Sequence, residues 1–183
     1  MKTTQLSQFN NSWYSPGASG LKRLLWFLLN AAVMMNPVIP FSGLRIMLLR
    51  LFGAVIGKGV VIKPSVNVKY PWLLEIGDDA WIGEQVWIDN LVKTVIGSDC
   101  CLSQGAMLLT GSHNYKNPAF DLIAEPITLE NGAWIGAKAI VCPGVTCGSH
   151  SVLAAGSVAT GNLKPYTIYQ GNPATEKRVR NIQ

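Results

Sequence analysis

From Ile56 onward an apolar residue returns at every sixth position, with polar, small and glycine residues between. The series runs Ile56, Ile62, Val68, then Ile76, Ile82, Ile88, then Ile96, Leu102, Leu108, and after a gap Leu129, Ile135, Val141, Cys147, Leu153 and Ala159. With 49% of the chain hydrophobic, fifteen filled slots have a chance probability of about 10⁻⁵. A second slot four residues later holds small or Val side chains, as at Val60, Val66, Ala80, Val86, Val92, Cys100, Ala106, Ser112, Ala133 and Ala139, with Trp72 and Leu163 as exceptions. The residue after the first slot is glycine at Gly57, Gly77, Gly83, Gly97, Gly136 and Gly148, which predicts a corner with unusual backbone dihedrals. The repeating unit is a short strand plus a turn. Three units, 18 residues, close one triangular coil with the aliphatic slots stacked inside and successive coils about 4.8 Å apart. Two-residue insertions, Leu74-Glu75 and Thr94-Val95, separate the first three coils.

The repeat divides the chain into an apolar, basic, helical segment over 1–55, the coiled body over 56–164 with a loop protruding at 114–128, and a tail over 165–183. The first 74 residues hold eight basic residues and no acidic one, whereas the remainder holds seven basic and ten acidic. This front end predicts an anionic surface or substrate as neighbour; with bases scattered among Leu, Trp and Met and no binding motif, nucleic acid is the weaker choice and is not expected as a partner. The stretch Leu24 to Met35 is broken by Asn30 and followed by Pro37 and Pro40, too short to span a bilayer. Two readings of Leu21 to Leu51 stand. Lys22, Arg23, Arg45 and Arg50 could flank Trp26 and Phe27 in an interfacial helix contacting a membrane peripherally, or the segment could be a helical cap on the first coil. The amino terminus has no secretory pattern, so the expected location is cytoplasmic, including the inner face of the membrane. Cys100, Cys101, Cys142 and Cys147 match neither a disulfide framework nor zinc spacing and are read as reduced.

The interruption of the repeat is where chemistry is expected, because a long loop in a tight solenoid is usually functional. It opens with Thr110-Gly111-Ser112-His113-Asn114-Tyr115. His113 sits where the chain leaves the prism, and an imidazole titrating near neutrality suits a general base. Asp89 and Asp121 are the candidate carboxylates to orient it, and Lys93 holds the equivalent slot one coil earlier. His150 is read as a solvated surface residue. Exposed edges and outward residues such as Trp81 and Trp87 predict a trimer that buries them.

The pattern resembles the hexapeptide-repeat proteins, whose fold is a left-handed parallel β-helix, an exception to the right-handed crossover rule. Within them the chain resembles the sugar O-acetyltransferases of the colanic acid and exopolysaccharide type, through residues 111–115, Trp134-Ile135-Gly136-Ala137, Pro143-Gly144-Val145-Thr146 and Gly171-Asn172-Pro173-Ala174. The resemblance implies a mainly β fold, a left-handed parallel β-helix with a short helical amino-terminal segment and an excursion loop. It further implies acetyl-CoA as co-substrate with no permanently bound cofactor and no metal, and His113 as the base acting on a sugar hydroxyl of a free or lipid-linked saccharide. Asp89, Asn90 and Asn114 would bind the acceptor. Trp134, Ala137 and Ala155 would border the donor's pantetheine arm, although Trp134 could instead anchor a subunit interface. Gly171, Asn172 and Pro173 would lie near adenine, and Lys177, Arg178 and Arg180 near phosphate. The active sites of the homotrimer would lie between subunits. Two histidines cannot supply the three ligands of the zinc carbonic anhydrases of this fold. A maltose- or galactoside-type acetyltransferase of small soluble sugars and a non-catalytic β-helix scaffold are the alternatives.

Overall fold

The computed structural model describes residues 3–183. The repeat forms a left-handed parallel β-helix of strands mostly two or three residues long, arranged as three faces of a prism. On the first face Val55–Ile56, Leu74–Ile76, Thr94–Ile96, Ile127–Leu129 and Thr146–Cys147 stack in that order, so that Ile56, Ile76, Ile96, Leu129 and Cys147 stand in register. The second face carries the column Ile62, Ile82, Leu102, Ile135, Leu153 and Tyr169, and the third Val68, Ile88, Leu108, Val141 and Ala159. All fifteen residues of the six-residue series are buried. Each large aliphatic side chain so placed contributes roughly 1.5–3 kcal/mol from apolar area removed from water. The columns are stitched by backbone bonds such as Gly57 N to Ile76 O at 2.8 Å and Gly77 N to Ile96 O at 2.7 Å.

The second slot behaves as a small-residue corner except where the chain departs from the prism. Val66, Val86, Ala106 and Ala139 are buried, whereas Ser112 is exposed because the excursion begins there. The glycines after the first slot are required for a different reason than their backbone conformation. A Cβ at Gly77 would stand 2.5 Å from Ser98 N, at Gly136 2.5 Å from Ala155 N, and at Gly97 2.8 Å from Asn131 N. Close approach of the next coil excludes any side chain. The left-handed backbone comes two residues later, at Gly59, Asp79, Gln85, Asp99, Lys138 and His150.

Before the prism, α1 (Gly20–Leu29) runs into a π-helical turn (Asn30–Met34), and α2 (Ser42–Leu51) follows. Together they cap the first coil. Trp26 is buried and its indole N–H donates to Val68 O at 2.8 Å; Asn30 Nδ2 donates to Asn67 Oδ1 at 2.7 Å; Ser42 Oγ accepts from Ile62 N at 2.9 Å; and Arg50 donates to Ile56 O and Gly57 O. Trp26, Ser42 and Arg50 thereby satisfy backbone groups that no earlier coil is present to meet, and Asn30 meets the Asn67 side chain. Arg45, expected to flank a lipid-facing helix, is instead fully buried and donates to Ile39 O and Asn36 O. The outer face of α1 leaves Leu21, Leu24, Leu25, Phe27 and Leu28 exposed. Among the described residues no helix is long and apolar enough to cross a membrane.

The tail continues the second face. Thr167–Gly171 pairs in parallel with Val152–Leu153, and after a cis Asn172-Pro173 bond Ala174–Val179 returns antiparallel to it. Arg180 Nη1 donates to Gly132 O and His150 O at 3.1 Å, which anchors the tail to the coil.

Candidate active site

The exit from the prism is locked by Thr110. Its buried hydroxyl donates to Asp89 O at 2.9 Å and accepts from Leu91 N at 2.8 Å, and the chain then forms the hairpin Gly111–His113 with Leu122–Ala124. His113 pairs across this hairpin with Leu122. Its Nδ1 lies 2.9 Å from Phe120 O, and its ring stacks on the Phe120 ring at 4.5 Å and 11°. A carbonyl only accepts, so in the neutral imidazole Nδ1 carries the proton and Nε2 the lone pair. That is the tautomer a general base needs.

The expected carboxylate partners are therefore not the orienting group. Asp121 instead accepts from Asn117 Nδ2 through its side chain and from Asn114 N through its carbonyl. Asp89 forms an ion pair with Lys69 at 2.9 Å, without the alignment of a hydrogen bond. Lys93 is paired with Glu75 at 2.9 Å.

A cavity of about 400 Å³ opens beside His113, lined also by Ser112, Asp89, Lys69, Tyr70, Phe9, Asn11 and Tyr14. Asp89 and His113 thus line one cavity. Asn90 does not: it is fully buried, its Oδ1 accepting from Tyr70 N at 2.9 Å and its Nδ2 donating to Tyr70 O at 2.7 Å, so both polar atoms are spent bridging two coils. Asn114 is exposed and its Oδ1 accepts from Lys116 N at 3.1 Å, forming a turn rather than lining the cavity.

A second cavity, about 360 Å³, lies over the later coils and brings together Trp134, Ala137, Ala155 and Arg178 with Ser103, Gln104 and Ile168. Trp134 Nε1 donates to Ser103 Oγ at 2.9 Å, which fixes the indole at the cavity edge. Gly171, Asn172 and Pro173 form the tip of the terminal hairpin, outside this lining, and Lys177 lies at the bulge of its last strand. The two cavities share no lining residue. Burial pushes the Cys147 thiol up to about 12 and the Cys100 thiol up to about 11, which makes neither a nucleophile at neutral pH. Among the described residues no group of three or more His, Cys, Asp or Glu side chains is placed to hold a metal ion.

Phe9, Asn11, Tyr14, Lys69 and Tyr70 were not expected at the site. The stretch Phe9-Asn10-Asn11-Ser12-Trp13-Tyr14 lies ahead of the first helix and outside the six-residue period, so nothing in the repeat connects it to His113.

No family model matches the chain. Over 165 residues it is 39% identical to the Escherichia coli protein named "Putative colanic acid biosynthesis acetyltransferase WcaF", with 90% of each chain covered. A hexapeptide-repeat-containing acetyltransferase of Vibrio cholerae, solved in complex with acetyl coenzyme A, superposes with a TM-score of 0.79 at 26% identity, covering 91% of this chain and 92% of that one. A galactoside acetyltransferase in complex with coenzyme A superposes with a TM-score of 0.76 at 26% identity, covering 91% and 86%.

Proposed function

Because the chain belongs to the hexapeptide-repeat acetyltransferases, alongside the colanic acid biosynthesis acetyltransferases, we propose that it O-acetylates a sugar hydroxyl in exopolysaccharide or other surface-polysaccharide biosynthesis, with His113 as general base. The protein is an acyltransferase that takes its acetyl group from acetyl-CoA. His113 Nε2 removes the acceptor hydroxyl proton as that oxygen attacks the thioester carbonyl. The C–S bond then breaks, the sulfur leaves with the proton from the imidazolium, and an acetyl ester remains on the sugar. The observation that carries this reading is the Nδ1 contact with Phe120 O, which sets the tautomer.

Asp89, which lines the cavity beside His113, is proposed on the acceptor side. Trp134, Ala137, Ala155 and Arg178 are proposed to hold the pantetheine and phosphate portions of the donor, with Lys177 and the Gly171-Asn172-Pro173 tip farther along it. The separation of the two cavities on one chain favours a homotrimer, in which the donor cavity of one subunit faces His113 of the next. Exposed Trp81 and Trp134, on the same face, offer apolar surface for such packing. The outer face of α1, apolar and flanked by Lys22 and Arg23, supports peripheral contact with the inner face of a membrane and hence a lipid-linked saccharide as acceptor.

The test is thiol release from acetyl-CoA across a saccharide panel. Wild type releases thiol in an acceptor-dependent manner, and His113→Ala loses roughly 10²-fold or more in kcat with its affinity for acetyl-CoA unchanged. Near-normal turnover in the variant overturns the assignment of the base.

A further inference from the structure

Residues 3–18 precede the helical cap and add little to the core: Leu6 and Trp13 are 63% and 60% exposed, and the first buried hydrophobic side chain among the described residues is Trp26. A terminal segment of that kind normally frays. Here it is fastened at three places that belong to different parts of the molecule. Gln5 N donates to Pro118 O of the excursion loop at 2.7 Å, Tyr14 Oη donates to Leu91 O of the coil at 2.8 Å, and Pro16 O accepts from Trp72 Nε1 at 2.6 Å. Between these tethers the Phe9 ring centroid stands 5.8 Å from that of His113, and Phe9 and Asn11 line the same cavity as the imidazole. The second cavity, over the later coils, has no residue of this segment in its lining.

We propose that residues 5–16 are an acceptor-specificity strap, in which Phe9 and Asn11 contact the acceptor saccharide and Tyr14 is the positioning residue that holds them beside His113. The chemistry fits a pyranose. An aromatic ring offers apolar surface to the C–H face of the sugar, and a carboxamide offers one acceptor and two donors to neighbouring hydroxyls. Leu91 O is otherwise a turn carbonyl, and the Tyr14 hydroxyl both satisfies it and fixes the strap's distance from the hairpin. The inference rests on the reading of this cavity as the acceptor site, so its test measures saccharide binding apart from turnover.

The chain has two histidines, and the ring signals of His113 are those that vanish from the proton NMR spectrum of His113→Ala. Wild type is titrated with methyl β-D-galactopyranoside and with maltose as probes. His113 signals shift with saccharide, and Phe9→Ala and Asn11→Ala each weaken that binding about tenfold, the loss of one good contact. Tyr14→Phe weakens it less. In all three variants the dissociation constant for acetyl-CoA stays within twofold and the melting temperature is retained. With an active acceptor, KM for saccharide rises while kcat holds.

Absence of a saccharide-dependent shift at His113 in wild type overturns the proposal, as does saccharide binding within twofold of wild type in Phe9→Ala and Asn11→Ala. Parallel losses of both affinities and of melting temperature overturn it too, in favour of a purely structural strap. Failure of the catalytic reading is separately visible: His113→Ala would keep full turnover while the strap variants still weaken saccharide binding.

Discussion

His113 is held by one carbonyl and one ring, and these two supports are separable. Phe120→Ala keeps the backbone oxygen that accepts from Nδ1 but removes the stacked ring. The expected kcat is reduced by less than in His113→Ala, with a melting temperature near that of wild type, because Phe120 lies on the excursion and outside the prism. The thiols give a pH-dependent outcome at the same scale. Burial raises Cys100 to about 11 and Cys147 to about 12, so each remains a protonated thiol until pH rises toward those values. Ellman's reagent at pH 8 should leave both unreacted in the native protein and titrate all four cysteines in urea; rapid native modification of four thiols would contradict the burial. A raised folded-state value also means that the unfolded chain releases these protons first, so stability present below about pH 9 falls as pH rises from there. His113 was legible in the sequence because it marks the one break in the period. Phe9 and Asn11 were not, since they reach it across about a hundred residues with no period to connect them. Asn90 was misread for a related reason: spacing shows which coil it occupies, and only packing shows that both ends of its amide meet Tyr70.

The repeating strand-and-turn is the element where sequence speaks most directly, since every aliphatic slot lands inside. Its glycines carry two different requirements. Gly77→Ala would drive a methyl to 2.5 Å from Ser98 N, backbone that cannot swing aside, whereas Gly105 has φ +67° and its nearest neighbour is a Lys138 side-chain carbon at 3.4 Å. Gly77→Ala is expected to cost about 1–3 kcal/mol as overpacking, and Gly105→Asn less than about 1 kcal/mol because Asn tolerates left-handed backbone. Urea denaturation of the two variants distinguishes them, and equal losses would mean that the coils are not in the close contact described. The tail lacks the six-residue period, so its strands are not legible in the sequence; the extended pairing of Thr167–Gly171 with Val152–Leu153 comes from the sheet edge it finds, which is a tertiary cause.

At the scale of the whole molecule, light scattering at micromolar concentration is expected to give the mass of a trimer, and a monomer would remove the basis for a site shared between subunits. Flotation with phosphatidylglycerol vesicles is expected to carry wild type upward and to leave Lys22→Glu/Arg23→Glu behind; equal soluble fractions would dismiss lipid contact. Arg45 is unsuited to that test because its guanidinium is buried within the cap. The cap itself has a further bearing on how this shape survives at high concentration. A stack of coils has no intrinsic length: its first coil is a sheet edge on every face, open to pairing with a strand of another molecule. Trp26, Ser42 and Arg50 occupy backbone positions of that edge, at Val68, Ile62 and Ile56, while Asn30 covers the Asn67 side chain, and so they close this end. A chain stripped of the two helices would present these edges to other molecules, and the amino-terminal helices are in this sense a guard against edge-to-edge association.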